Sequence, residues 1–149
     1  MTGRPVALIT GATGGLGRVV AADLAADGRD LALCGSNRKR LTALEVELGL
    51  DGARVMSVAA DLRRGDVAQE AVEAVYQRYE RIDALAHLVG GWAGGTNIVD
   101  ATDDPYRSML EQHLWSTLNI IRPLVPRMVA AGRGRIVAVS TPMAASPGS

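Results

Sequence analysis

Between positions 10 and 17 the chain reads Thr-Gly-Ala-Thr-Gly-Gly-Leu-Gly. Glycine accepts positive φ and lets another group come close to the backbone. A helix that begins in such a stretch offers unpaired N–H donors and the positive end of its macrodipole. Gly11, Gly14, Gly15 and Gly17 therefore fit a phosphate or pyrophosphate site. A flexible glycine loop with no ligand is the alternative. The Gly-Lys-Ser/Thr run of a phosphate-binding P-loop is missing, which excludes that kind of kinase or NTPase. Other polar residues stand at the ends of apolar runs: Ser36, Asn37 and Arg38, then Asp61, His87, Ser140 and Thr141. His113 lies inside an amphipathic stretch. His87 and His113 lack a surrounding ligand cluster, so no metal is expected. Cys34, the single cysteine, excludes an internal disulfide and reads as a small core residue.

Alternating strands and helices must position these residues. Val6–Ile9 is a short apolar run, the mark of a strand covered on both faces. Leu16 to Asp27 follows as a helix, with Leu16, Val20 and Leu24 in one stripe and Gly28 as its stop. Leu31 to Cys34 is a second strand. A second helix carries Leu41, Leu44 and Leu48 and ends near Gly49. Arg54 to Ala59 is a third strand, and Asp66 to Tyr79 a third helix. Ala84 to Val89 is a fourth strand, followed by a glycine-rich loop from Gly90 to Thr102. Asp104 and Pro105 are expected to open a long helix reaching Ala130, bent at Pro123 or Pro126. Ile136 to Val139 is a fifth strand. This order predicts one α/β domain over residues 1–149. It is a Rossmann-like, doubly wound parallel sheet of about five strands in the order 3-2-1-4-5, with its ligand at the carboxyl ends of the strands.

Composition sets the bounds. The 149 residues suffice for one cored domain, and 48% of them are hydrophobic, which excludes disorder. Sixteen basic and sixteen acidic side chains give no bulk attraction to nucleic acid or an anionic membrane. No apolar run is long enough to span a bilayer, and no signal peptide is read at the N-terminus. A cytoplasmic protein is the expectation.

The spacing Thr10-Gly11-x-x-x-Gly15-x-Gly17 resembles that of the short-chain dehydrogenase/reductase family, whose members bind NAD or NADP. The resemblance implies that Gly11, Thr13, Gly14, Gly15, Leu16 and Gly17 cradle the pyrophosphate. It also implies that Asp61 and Leu62 hold the adenine, and that Val89 and Gly90 border the cofactor ribose. The second strand ends without the acidic residue that would bond the ribose of NAD. Ser36, Asn37 and Arg38 stand there instead, which favours NADP(H) over NAD(H). Arg38 has a second reading as a solvated charge opening the next helix. Of the family's Asn-Asn-Ala-Gly motif only Gly90 survives, in His87-Leu88-Val89-Gly90. His113 falls at the family's catalytic asparagine, whose backbone holds a relay water, and Thr141 at its catalytic serine. Asp61, His87, His113 and Thr141 also have plain structural readings, as a helix-capping or turn aspartate, as hydrogen-bonded core histidines and as an ordinary polar strand end.

The family's Tyr-x-x-x-Lys proton donor does not occur before Ser149, and Lys39 is the only lysine. The expectation is an oxidoreductase of this type, transferring hydride between nicotinamide and a small alcohol or ketone, read here in its cofactor-binding portion and lacking the catalytic pair. The rival is a non-catalytic dinucleotide-binding or interaction module of the same fold. The fifth strand would form an open edge, and Leu114, Leu118, Ile121 and Val125 an uncovered helix face. From both, the expectation is self-association into a homo-oligomer, or else that this sequence is part of a longer chain.

Overall fold

The computed structural model describes residues 3–140. Five strands make one parallel sheet in the order β3-β2-β1-β4-β5. They are β1 (Val6–Thr10), β2 (Asp30–Gly35), β3 (Val55–Ala59), β4 (Ala84–His87) and β5 (Arg135–Ala138). The connecting helices are α1 (Gly15–Ala26), α2 (Arg38–Leu48), α3 (Gly65–Tyr79), α4 (Asp103–Leu110) and α5 (Ser116–Ala130). The order agrees with the expectation from sequence.

Alternation along β1 explains the two layers. Val6 and Leu8 join one apolar cluster with Val72, Val75, Ile120 and Leu124, on the α3/α5 face. Ala7 and Ile9 join the other, with Ala21, Leu41 and Leu44, on the α1/α2 face. A strand apolar on both sides must lie in the middle of a sheet covered by helices. Each fully buried Leu, Ile or Val contributes about 1.5–3 kcal/mol of transfer free energy. These central strands therefore hold the edge from which the functional loops emerge.

Helix ends follow local chemistry. Asn37 caps α2 by accepting from Arg40 N at 3.1 Å. Gly28 follows α1 at φ 81°, and Gly49 closes α2 at φ 59°. A hub ties the opposite edge of the sheet. The Asp83 carboxylate accepts from Val6 N (2.8 Å), from Arg81 Nε and Nη2 (2.7 Å each) and from Arg133 Nε (2.9 Å). Burial pushes that carboxyl up, and the bonds from Arg81, Val6 N and Arg133 outweigh it, so the net shift is downward.

The long final helix departs from expectation. Thr102, not Asp104, is its N-cap residue, and Asp103 and Asp104 lie in the first turn, where the macrodipole favours acids. A π-helical turn also lies before the prolines. Residues Glu111–Trp115 form a π-helical turn, and α5 then runs through Pro123 and Pro126 to Ala130. The hydroxyls of Ser116 and Thr117 accompany this wider turn, donating to the carbonyls of Gln112 and His113. They satisfy acceptors in the turn, so the backbone tolerates its extra residue.

β4 is also shorter than expected, ending at His87 rather than Val89. β5 pairs only with β4 among the described residues, and all four of its residues are exposed. Leu114 is exposed, whereas Leu118, Ile121 and Val125 are half-buried.

Candidate functional site

A cleft of about 320 Å³ opens at the carboxyl ends of β1, β2, β3 and β4. Its wall is built from four strand exits. β1 supplies Gly11, Thr13 and Gly14; β2 supplies Cys34, Gly35 and Ser36; β3 supplies Ala60, Asp61, Leu62 and Arg63; β4 supplies Leu88, Val89 and Gly90. Gln112 and Ser116, from the π-helical turn and the start of α5, complete it. This is where a doubly wound sheet places its ligand, beside the strand at which the order reverses.

The glycine turn is shaped by close packing. Gly11 sits at φ 70°, and a Cβ there would lie 2.7 Å from the Leu88 carbonyl oxygen. A Cβ on Gly17 would collide with the backbone of Gly11 and Ala12. Gly14 N donates to Gly11 O at 3.0 Å, folding the turn back on itself. A Cβ on Gly15 would meet nothing within 4 Å. The first turn of α1 thus starts in open space, with N–H groups that no preceding carbonyl satisfies. An anion with a diphosphate's charge fits that corner on both geometry and field. Gly15, Leu16 and Gly17 belong to this first turn beside the cleft, and Leu16 is exposed.

Beyond β2, Ser36 lines the cleft. Asn37 spends its side-chain oxygen on the α2 cap, and Arg38 is the first residue of that helix. At the β3 exit Asp61 lines the cleft while gripping Arg63. Its oxygens accept from Arg63 Nε at 2.9 Å, Nη2 at 2.7 Å and the backbone N at 3.1 Å. Those hydrogen bonds hold its carboxyl below the usual range. The turn-aspartate reading is thus realised in the geometry, and the same carboxylate still faces the cleft. Leu62 is buried beside it. Cys34 is buried, and burial pushes its thiol up to about 12, so it is inert wall.

The two histidines part company. His87 is buried, with Nδ1 2.7 Å from Thr10 Oγ1 and Nε2 3.0 Å from Thr117 Oγ1. Burial lowers its pKa, and His113 adds to the effect. His113 is exposed, and its Nε2 lies 2.7 Å from Gly91 O, fastening the π-helical turn to the loop after β4. Its main-chain carbonyl, the group expected to hold a relay water, accepts the Thr117 hydroxyl. Thr141 lies outside the described residues. No cluster of three or more His, Cys, Asp or Glu able to hold a metal occurs among the described residues. Among them, too, no helix is long and apolar enough to cross a membrane.

Beyond Thr10, which the motif spacing named, Arg63, Gln112, Ser116 and Thr117 are contributors that the sequence reading did not pick out. A threonine or serine within a helix four residues after another polar position was the available signal for the last two. Of the three tyrosines, Tyr79 donates to Leu31 O at 3.2 Å inside the core, and burial raises its hydroxyl to about 12. Tyr76 lies under the Arg127 guanidinium, 4.4 Å from ring centre to Cζ. Tyr106 is on α4.

Residues 5–149 match the family model for short chain dehydrogenases. A succinyl-CoA dehydrogenase subunit of Thauera aromatica, acting in its name on (2S)-[(R)-hydroxy(phenyl)methyl]succinyl-CoA, is 36% identical over 135 residues, 91% of this chain and 53% of its own. An A-factor type gamma-butyrolactone 1'-reductase of Streptomyces virginiae is 32% identical, covering 94% of this chain and 58% of its own. The chain spans about half the length of these curated relatives. Among solved structures, actinorhodin polyketide ketoreductase with NADPH superposes with a TM-score of 0.88 at 26% identity, covering 97% of this chain and 56% of that one. A short-chain type dehydrogenase/reductase from Mycobacterium ulcerans gives 0.89 at 26%, with 97% and 54% covered.

Proposed function

The chain belongs to the short chain dehydrogenase family, and from that premise we propose that it binds a nicotinamide adenine dinucleotide in the cleft at the carboxyl ends of its strands. The observation that carries the reading is the corner between β1 and α1. Gly11 and Gly17 have no room for a side chain, and the α1 amides open beside a cleft of matching position. Gly11, Thr13, Gly14, Gly15, Leu16 and Gly17 hold the pyrophosphate. Asp61 accepts from the adenine amino group, with Leu62 against the ring, and Val89 and Gly90 border the ribose nearest the nicotinamide. When bound, the group supplies a hydride donor or acceptor for an alcohol or ketone.

NADP(H) is favoured over NAD(H). Ser36 faces the cleft, no carboxylate follows β2, and Arg38 stands two residues on. A carboxylate there would bond the ribose hydroxyls and repel a 2′-phosphate. The residues of this chain do the binding, and Thr141 and His113 stand at the family's catalytic positions. The alternative of a binding module without turnover rests on two observations. One lone pair of His113's carbonyl is engaged by Thr117, and Tyr79 and Tyr76 are held away from the cleft.

Titration of the chain with NADPH, followed by the enhancement and blue shift of nicotinamide fluorescence, tests the proposal. Saturable binding, weakened by Asp61→Ala and tighter than NADH binding, is the expected result. Absence of saturable binding for both dinucleotides overturns it. A ketone-reduction assay on the same samples then separates enzyme from binder.

A further inference from the structure

One polar network has no part in cradling the dinucleotide. Thr10 ends β1, His87 ends β4 and Thr117 lies in the first turn of α5. The Thr117 hydroxyl donates to the His113 carbonyl, so its oxygen is left to accept from His87 Nε2–H at 3.0 Å. His87 Nδ1 then accepts the Thr10 hydroxyl at 2.7 Å. Donor and acceptor roles are fixed along the whole chain of bonds, and the imidazole at its centre is buried. The network ends in the π-helical turn, which brings Gln112 to the cleft wall beside Ser116, the first residue of α5. That turn touches the loop after β4 as well. A Cβ on Gly90 would lie 2.7 Å from His113 Cε1, and one on Gly91 2.6 Å from Gln112 Oε1.

We infer that His87 is a positioning residue for the dinucleotide site: acting through Thr117, it sets the π-helical turn in the place that puts Gln112 and Ser116 on the cleft wall. The inference rests on the reading of the cleft as a dinucleotide site. The imidazole joins two strand ends to a helix start because its two nitrogens face opposite ways. One shorter amide side chain cannot span both threonines. A π-helical turn inside a helix is a costly geometry kept where it does a task. Here it swings Gln112 toward the cleft and His113 onto Gly91 O. Among the described residues, His113 is the charged or titratable group that influences His87.

Two substitutions separate this role from simple packing. His87→Gln keeps an N–H near the Nε2 position and so keeps the Thr117 bond. His87→Asn reaches only toward Thr10. NADPH affinity is expected to stay within about twofold of the unmodified chain for Gln and to fall roughly five- to tenfold for Asn. Amide exchange at Ser116 and Thr117 is expected to speed up in the Asn variant only. Equal losses in both variants, or retention by Asn, overturns the inference. Nitrogen-15 spectra of the unmodified chain give a cofactor-free test: Nε2 carries the proton and Nδ1 does not, and the opposite tautomer also overturns it. Should NADPH fail to bind the unmodified chain, the cofactor reading fails alone, and the tautomer and exchange results still decide the role of His87.

Discussion

Replacement of Gly11 by alanine tests the geometry on which the site stands. At φ 70° an L-residue pays about 1 kcal/mol that glycine does not. The added Cβ would also stand 2.7 Å from the Leu88 carbonyl oxygen, 2.8 Å from its carbon and 3.0 Å from Val89 N. All three are backbone atoms, so no side chain can swing aside. Leu88 N is meanwhile bonded to Thr10 O at 3.1 Å, which holds the two strand exits together. Relief requires β1 and β4 to part at the cleft, at an overpacking cost of about 1–3 kcal/mol. The total, about 2–4 kcal/mol, lowers Tm by roughly 5–15 °C for a domain of this size. Gly15→Ala is the matched control. It meets nothing within 4 Å and lies in a helix start with negative φ, so stability should hold within about 0.5 kcal/mol. The assay is calorimetric or circular-dichroism melting of both variants, with NADPH titration alongside. Gly11→Ala should melt early and bind poorly. Gly15→Ala should melt like the unmodified chain and still lose affinity, because its methyl group occupies the space left for the anion. Equal melting temperatures for the two variants would refute the packing argument, and full NADPH affinity in Gly15→Ala would refute the cradle.

The opposite edge of the sheet yields further tests. Asp83→Ala removes the acceptor shared by Val6 N, Arg81 and Arg133 and should cost about 2–4 kcal/mol in urea unfolding. Because the folded carboxyl titrates below its ordinary 3.8, its contribution is complete above that value and disappears as pH falls through the lowered one. The difference between unmodified and Asp83→Ala chains should therefore narrow only below pH 3.8, and a difference that narrows on raising pH from neutrality contradicts it. Arg54→Ala leaves Asp30, which is fully buried with neither carboxylate oxygen hydrogen-bonded, without the guanidinium whose Nε lies 3.5 Å away. A loss of about 3–5 kcal/mol is expected, with partial rescue by Asp30→Asn, and additivity of the two changes would show that the pair is not coupled. The exposed β5 edge predicts that the unmodified chain self-associates in sedimentation equilibrium and that Val137→Lys abolishes this; a monodisperse unmodified chain at tens of micromolar contradicts it.

What could be read in advance follows from how local each signal is. The strands and their order were legible because β1 and β2 are apolar on both faces, a pattern that only a covered central strand shows. Gly11 and Gly17 were legible because backbone contact forbids a side chain, and that demand is written as residue type. The π-helical turn was not. It depends on where the hydroxyls of Ser116 and Thr117 find carbonyls, and those residue types fit an ordinary helix equally well. Pro123 and Pro126 both lie inside α5, well past the π-helical turn, so they give no sign of where it falls. His87 could be marked as a buried histidine, but its partners come from positions 77 residues before it and 30 after it. Its tautomer depends on a bond that Thr117 makes elsewhere. Such long-range donor and acceptor bookkeeping has no signature in spacing along the chain.

The two edges of the sheet divide polar labour in a way that bears on ligand charge. At the amino ends of the strands the links are ionic: Asp30 with Arg54, and Asp83 with Arg81 and Arg133. At the carboxyl ends the links between strands are neutral, from Thr10 to His87 to Thr117. The cleft wall there holds one carboxylate, Asp61, and Arg63 neutralises it in a bidentate pair. An anion approaching α1 therefore meets the helix dipole with no uncompensated negative charge on the lining. Introducing a charge at the neutral edge should do more harm to binding than to folding. Ser36→Asp places a carboxylate on the cleft wall at an exposed position with no packing to disturb. It should leave Tm unchanged while weakening NADPH more than NADH, because only the former brings a 2′-phosphate to that wall. Equal loss for both dinucleotides would mean that the β2 exit does not meet the adenosine ribose, and the preference for NADP(H) would lose its structural basis.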